Sequence, residues 1–205
     1  MKKTLITTAL LSLGVYGVLG QGAINFNNRA TTANPTPVIA PIYGPEAAGE
    51  KHGNATTNGG STAYSGVLLT GTGFTAQLWA SPAGGVLAPI STTVMRPAGT
   101  LAGFVLPPSA SPVVPGALDG TQATFDLRVW DNRGGTITLW AQVMMDPTIL
   151  HGSSGSFNTA VKEAPNTPPN LVGLTSFNLF AVPEPSVIAL GALGLGALLL
   201  RRRKA

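Results

Sequence analysis

Two neighbouring stretches of the chain alternate apolar and polar residues with period two. Over residues 124–130, Phe125, Leu127 and Val129 share one face, and Thr124, Asp126, Arg128 and Trp130 share the other. Over residues 136–144, Ile137, Leu139, Ala141 and Val143 oppose Thr138, Trp140 and Gln142. Successive side chains of a strand point to opposite sides, so this alternation predicts strands with one face on a core. Asp131-Asn132-Arg133-Gly134-Gly135 lies between them and has turn chemistry, so the pair reads as a β-hairpin. Further strands are predicted over 23–27, 66–70, 74–80, 86–90, 100–106, 156–161 and 174–180. No part of residues 21–181 sustains a 3.6-residue period, and Gly or Pro interrupts almost every window. Short strands between such turns predict an all-β domain, an antiparallel β-sandwich or jelly-roll-like body. Residues 34–61 are polar and rich in Pro, Gly, Thr and Asn, which predicts a long surface loop. Residues 165–169 and 181–185 read as linkers.

Both ends break this pattern. Met1-Lys2-Lys3 is a short positive segment, and residues 4–20 are uncharged and mostly apolar. Charge, length and order are those of a secretory signal peptide over residues 1–20. Cleavage after Gly20 sets Val18 and Gly20 at the −3 and −1 positions, and cleavage after Gly22 is the alternative. A retained amino-terminal anchor is the competing reading, though seventeen residues are marginal for a span. At the other end, Val182-Pro183-Glu184-Pro185-Ser186 precedes an uninterrupted apolar run over 187–200 and then Arg201, Arg202, Arg203 and Lys204. The two prolines fix φ and remove donors, so this motif stays extended and accessible to a processing enzyme. Fourteen helical residues reach about 21 Å, short of the ~30 Å hydrocarbon core. A transmembrane helix over 187–200 therefore needs local thinning or snorkelling of the basic end. The basic tail, 201–205, resists crossing and acts as a cytoplasmic stop that leaves the body outside.

The 205 residues include no cysteine, which excludes a disulfide scaffold, a cysteine nucleophile and thiolate metal sites. Only His52 and His151 are present, too few for a histidine zinc site. The formal net charge of +4 comes from the ends. The terminal segments sum to +5 and residues 21–181 to −1. The body thus has no basic stripe for phosphates, and nucleic acid is not an expected partner.

The carboxyl-terminal 24 residues, VPEPSVIALGALGLGALLLRRRKA, resemble the PEP-CTERM sorting signal of Gram-negative bacteria. Such tails are recognised by an exosortase, an integral-membrane cysteine protease or transpeptidase. By that resemblance Pro183, Glu184 and Pro185, flanked by Val182 and Ser186, form the sorting and processing motif. The resemblance implies export through the general secretion machinery, removal of the leader by signal peptidase, and an inner-membrane-anchored precursor with its body outside. Release to the cell surface, or transfer to extracellular polysaccharide in a biofilm matrix, follows. A plain tail anchor with a chance Pro-Glu-Pro is the alternative. The body is similar more faintly to exported proteins with this tail in verrucomicrobia-like bacteria, at Gln21-Gly22-Ala23-Ile24-Asn25-Phe26-Asn27-Asn28, Phe74-Thr75-Ala76-Gln77-Leu78-Trp79 and Leu174-Thr175-Ser176-Phe177.

Candidate chemistry in the body is sparse. Asp146, His151, Ser153 and Ser154 could be drawn as a triad, but Gly152-Ser153-Ser154-Gly155-Ser156 is not G-x-S-x-G and reads as a turn carrying a surface histidine. Asp126 and Asp131 could be paired as glycosidase carboxylates, but Asp126 reads as an outward strand residue and Asp131 as the start of a turn. Asp131-Asn132-Arg133-Gly134 lacks a calcium loop's oxygen ligand at Arg133. Of the three tryptophans, Trp79, Trp130 and Trp140, the last two fall opposite the hairpin's apolar set. If the apolar face is the core they sit on an outer surface, where indoles can stack on sugar rings; packing against a loop or the sandwich rim is the favoured reading. The sequence thus predicts a non-enzymatic surface or matrix protein needing no cofactor. A carbohydrate-binding module acting through Trp130 and Trp140 is the alternative, and an extracytoplasmic hydrolase a third reading.

Overall fold

Residues 74–82 and 122–131 alternate apolar and polar side chains over most of their length, and they form the two longest strands. The structure is a computed structural model that describes residues 21–182. The signal segment 1–20, the apolar run 187–200 and the basic tail lie outside the described residues. Nine strands occur in chain order: β1 (Arg29–Ala30), β2 (Val38–Ile39), β3 (Ile42–Tyr43), β4 (Phe74–Pro82), β5 (Ala88–Val94), β6 (Gln122–Asp131), β7 (His151–Ser153), β8 (Phe157–Ala160) and β9 (Phe177–Asn178). One short helix, α1 (Trp140–Met145), and a 3-10 turn at Thr56–Asn58 complete the described elements. The protein is sheet-rich, with little helix and no closed barrel. Among the described residues no helix is long and apolar enough to cross a membrane.

The main sheet runs β5-β4-β6-β7, and β8 also pairs with β6. Strands β4 and β6 are antiparallel over nine residue pairs, from Phe74↔Asp131 to Pro82↔Ala123. β7 and β8 share the far edge of β6. β7 pairs around Val129↔Gly152, and β8 pairs from Gln122↔Ala160 to Phe125↔Phe157. The period-two sets then separate as expected. Ala76, Leu78 and Ala80 of β4 and Phe125, Leu127 and Val129 of β6 pack in one buried cluster with Ile24, Phe26, Ile42, Phe177 and Leu179.

The partners of that cluster come from irregular segments. β1 pairs with β2, β3 pairs in parallel with β9, and isolated bridges such as Ala23↔Lys162 and Asn25↔Asn170 join the rest. Backbone groups without a ladder must find other partners, and buried asparagines supply them. Asn28 Nδ2 donates to the carbonyls of Ala40 and Gly103 at 2.8 and 3.1 Å, and its Oδ1 accepts from Val105 N at 2.8 Å. Asn178 accepts from Lys51 N and donates to the Gly49 carbonyl.

Two expectations are corrected. Residues 136–144 do not form the second strand of a hairpin. The chain turns through Arg133, Gly134 and Gly135, all at positive φ, and then forms α1. The place beside β6 is taken by β7. The reason is visible in the sequence, because Ile137, Trp140 and Val143 also fit an i, i+3, i+6 helical spacing. Val143 is buried with Trp130 and Ile149, and Ile137 and Trp140 pack on that group. Nor are residues 34–61 simply a surface loop. They contribute Val38, Ala40, Ile42, Tyr43 and Ala55 to the interior, because the main sheet's apolar face needs a cover.

Glycine is required at close approaches, Gly22 and Gly152 among them. A Cβ on Gly22 would lie 2.0 Å from Val161 Cγ2, and one on Gly152 would lie 2.6 Å from the Asn178 carbonyl oxygen. Gly22 is buried, its N–H donates to the Ala117 carbonyl, and its own carbonyl accepts from Val114 N. At the other end the Phe180 N–H donates to the His151 carbonyl, and Phe180 O accepts from His151 N. Among the described residues, packing therefore extends from Gly22 to Phe180.

Candidate functional site

The outer face of β4, β6 and β7 brings together most of the residues singled out in the sequence. Register sets Thr75 beside Trp130 and Gln77 beside Arg128, while β7 sets His151 beside Trp130 and Ser153 beside Arg128. Because side chains alternate, all of these point away from the apolar core.

Arg128 is the centre of this face. Its guanidinium lies 4.1 Å from the Trp79 ring centroid and 5.2 Å from that of Trp140, so the cation sits against two indoles. Arg128 Nε donates to Asp126 Oδ2 at 2.7 Å, and the other carboxylate oxygen accepts from Ser153 Oγ at 2.6 Å. Trp79 Nε1 donates to Gln77 Oε1, and Gln77 Nε2 donates to Thr92 Oγ1.

Of the two readings of the indoles, packing against a loop holds, and the sugar-facing one at Trp130 and Trp140 is corrected. Trp130 is 0% exposed and donates its Nε1–H to the Ile137 carbonyl at 3.0 Å. Trp140, at the start of α1, lies edge-on to it with centroids 5.8 Å apart and contacts His151 at 5.6 Å. A ring as large as indole cannot remain bare beside a sheet, so the 137–149 segment folds over it. Trp130 has no face free for a sugar, and Trp140 is only half-buried but turned toward Trp130, His151 and Arg128.

Catalytic geometry is not assembled by these groups. A Ser–His–Asp relay needs the histidine between the other two. Here Ser153 donates directly to Asp126, and His151, buried rather than on the surface, sets Nδ1 2.8 Å from the Ile149 carbonyl oxygen. Asp131 accepts from Arg133 N, and Asn132 Oδ1 accepts from Gly135 N, so both shape the turn. Asp146 is half-buried; the hydroxyl and N–H of Thr148, then Arg133, hold its carboxyl below the usual range. Among the described residues no three His, Asp or Glu side chains converge on a metal position.

A second charged cluster was not singled out by the sequence. The Glu46 side chain is 1% exposed and pairs with Lys51 Nζ. Burial pushes its pKa up, but Lys51, the Gly66 and Ser65 N–H groups and the Ser65 hydroxyl outweigh this and hold it at about 2. Nearby, the Tyr43 and Tyr64 rings stack 4.2 Å apart, and burial first, then Tyr43 and Glu46, push Tyr64 up to about 12.

A polar cleft of about 600 Å³ opens on the irregular side of the molecule, lined by Asn25, Asn27, Arg29, Asn34, Ser111 and Asn170 among others. Its walls are tied by amides. Asn25 Nδ2 donates to Asn170 Oδ1 at 2.9 Å, Asn170 Nδ2 donates to the Thr32 and Thr36 carbonyls, and Asn34 Nδ2 donates to the Pro168 carbonyl. The signal missed in the sequence was the recurrence of asparagine in unpatterned segments, Asn25, Asn27, Asn28, Asn34 and Asn170.

The sorting residues Pro183, Glu184, Pro185 and Ser186, and the basic residues Arg201, Arg202, Arg203 and Lys204, lie outside the described residues. Val182 is described and is 42% exposed. No family model, curated protein or solved structure matches the chain.

Proposed function

We propose that this chain is an exported cell-surface or extracellular-matrix protein, non-enzymatic in itself, whose two ends are delivery signals and whose body is displayed cargo. In this reading residues 1–20 direct secretion and are removed by signal peptidase. Residues 187–200 hold the precursor in the inner membrane, with Arg201, Arg202, Arg203 and Lys204 on the cytoplasmic side. An exosortase then acts at Val182-Pro183-Glu184-Pro185-Ser186, and the body passes to the surface or to the polysaccharide outside. Residues 21–181 form a β-sandwich in which the main sheet packs its apolar face on a second layer built from β1, β2, β3 and β9.

The observation that carries the reading is the order of charge and apolar runs at the two ends: the terminal segments sum to +5 and residues 21–181 to −1. Gly22 is buried, which favours cleavage after Gly20 over cleavage after Gly22. The non-enzymatic reading is supported by Asp126, Arg128 and Ser153, which satisfy one another.

The test is cell fractionation of a Glu184→Gln, Pro185→Ala double variant beside the wild type. The wild-type body is expected at the surface or in the medium, and the variant in the inner membrane. Equal release of both would contradict recognition of the motif.

A further inference from the structure

The geometry points to the polar cleft as a binding site for an acidic sugar, a hexuronic acid unit within an extracellular glycan. The inference stands on the cleft alone and does not depend on how the chain is sorted. Three features select the ligand class.

The first is the lining. It offers amides and hydroxyls from Asn25, Asn27, Asn34 and Ser111, with the small apolar surfaces of Ala30, Ala33 and Pro168 between them. Among the described residues no hydrogen bond engages Asn25 Oδ1, Asn34 Oδ1 or Asn27 Nδ2, so two acceptors and a donor are available. Alternating donors, acceptors and small apolar patches match the hydroxyls and C–H faces of a pyranose. The volume lies within the range of small-ligand sites, about 300–1,000 Å³.

The second is charge. Arg29 is exposed at the cleft with its guanidinium 5.7 Å from the Phe104 ring centroid, and among the described residues no carboxylate pairs with it. A guanidinium fork matches one carboxylate through two parallel hydrogen bonds. No lysine, second arginine or acidic residue lines the cleft. A single cation suits a single carboxylate better than a dianionic phosphate, and the absence of lining carboxylates leaves no repulsion against it.

The third is rigidity. Asn170 is buried and holds Asn25 on one side and the Thr32 and Thr36 carbonyls on the other. The walls are thus fixed before any ligand arrives, which lowers the ordering cost of binding.

The test is calorimetric titration of the full chain in neutral detergent with three probes: a tetramer of hexuronic acid, the free monomer and a neutral glucose tetramer. The uronate tetramer is expected to bind saturably and the neutral tetramer at least about tenfold more weakly, the size of one charge-assisted contact. Arg29→Gln is expected to lose about the same factor with an unchanged melting temperature, because Arg29 is exposed. Arg133→Gln, which removes the same charge at the β6 turn, is expected to bind like the wild type. Monomer binding as tight as the tetramer would support the site and make its source a free sugar acid. Equal binding of neutral and acidic tetramers, wild-type affinity in Arg29→Gln, an equal loss in Arg133→Gln, or no saturable uronate binding would each overturn the inference.

Discussion

Asn28 shows how single polar residues hold an interior that has few regular ladders. Its amide satisfies three backbone groups on two segments, and the Ala40 carbonyl and Val105 N–H would be left buried and unpaired without it. An orphaned buried group costs about 1–3 kcal/mol. Asn28→Ala is therefore expected to destabilise the fold by about 2 kcal/mol or more, read as a lower urea midpoint with the slope unchanged. Glu46 makes a different prediction. Its folded pKa of about 2 lies below its ordinary 4.5, so it contributes stability above pH 4.5 and loses it as pH falls toward 2. Glu46→Gln should melt lower than the wild type at neutral pH. The two melting-temperature curves should converge between pH 4.5 and 2, and a constant gap across that window would contradict the assignment.

At the scale of elements, β4 and β6 were legible because their alternation is long, uninterrupted and tied to one buried face. Phe125, Leu127 and Val129 were assigned to the correct side for that reason. The stretch after β6 was misread because its apolar residues fit two periods at once. What decided between them was Trp130, a large ring on the face opposite the core that required a cover of its own. Short pieces such as β1, β2 and β3 were not legible, since two-residue strands are fixed by long-range asparagine contacts and not by local pattern. The Arg128 cluster was half legible. Alternation placed Asp126, Arg128 and Trp130 together, but only tertiary folding brings Trp79, Trp140 and Ser153 to them. If α1 seals this face, Trp140→Ala should cost about 2 kcal/mol, the worth of a half-buried indole with its cation contact. It should also make Trp130 accessible to acrylamide quenching. A strand at 136–144 with an exposed Trp140 would instead give a change within about 0.5 kcal/mol.

At the scale of the whole molecule, the charge of the chain is segregated: its ends are positive and its body is nearly neutral. Segregation of this kind suits a protein handled by membranes at its termini and displayed through its middle. The body's irregular layer, tied by asparagine amides, carries the polar cleft, while the regular sheet carries the closed Trp–Arg face. On the proposed reading, binding falls on one side of the architecture and structural reinforcement on the other. The most direct test of the central claim is the intact mass of the protein recovered from the cell surface or medium. The account predicts a chain beginning at Gln21 and ending near Pro185, without Arg201, Arg202, Arg203 and Lys204. A recovered chain that keeps both Met1 and Lys204 would contradict it.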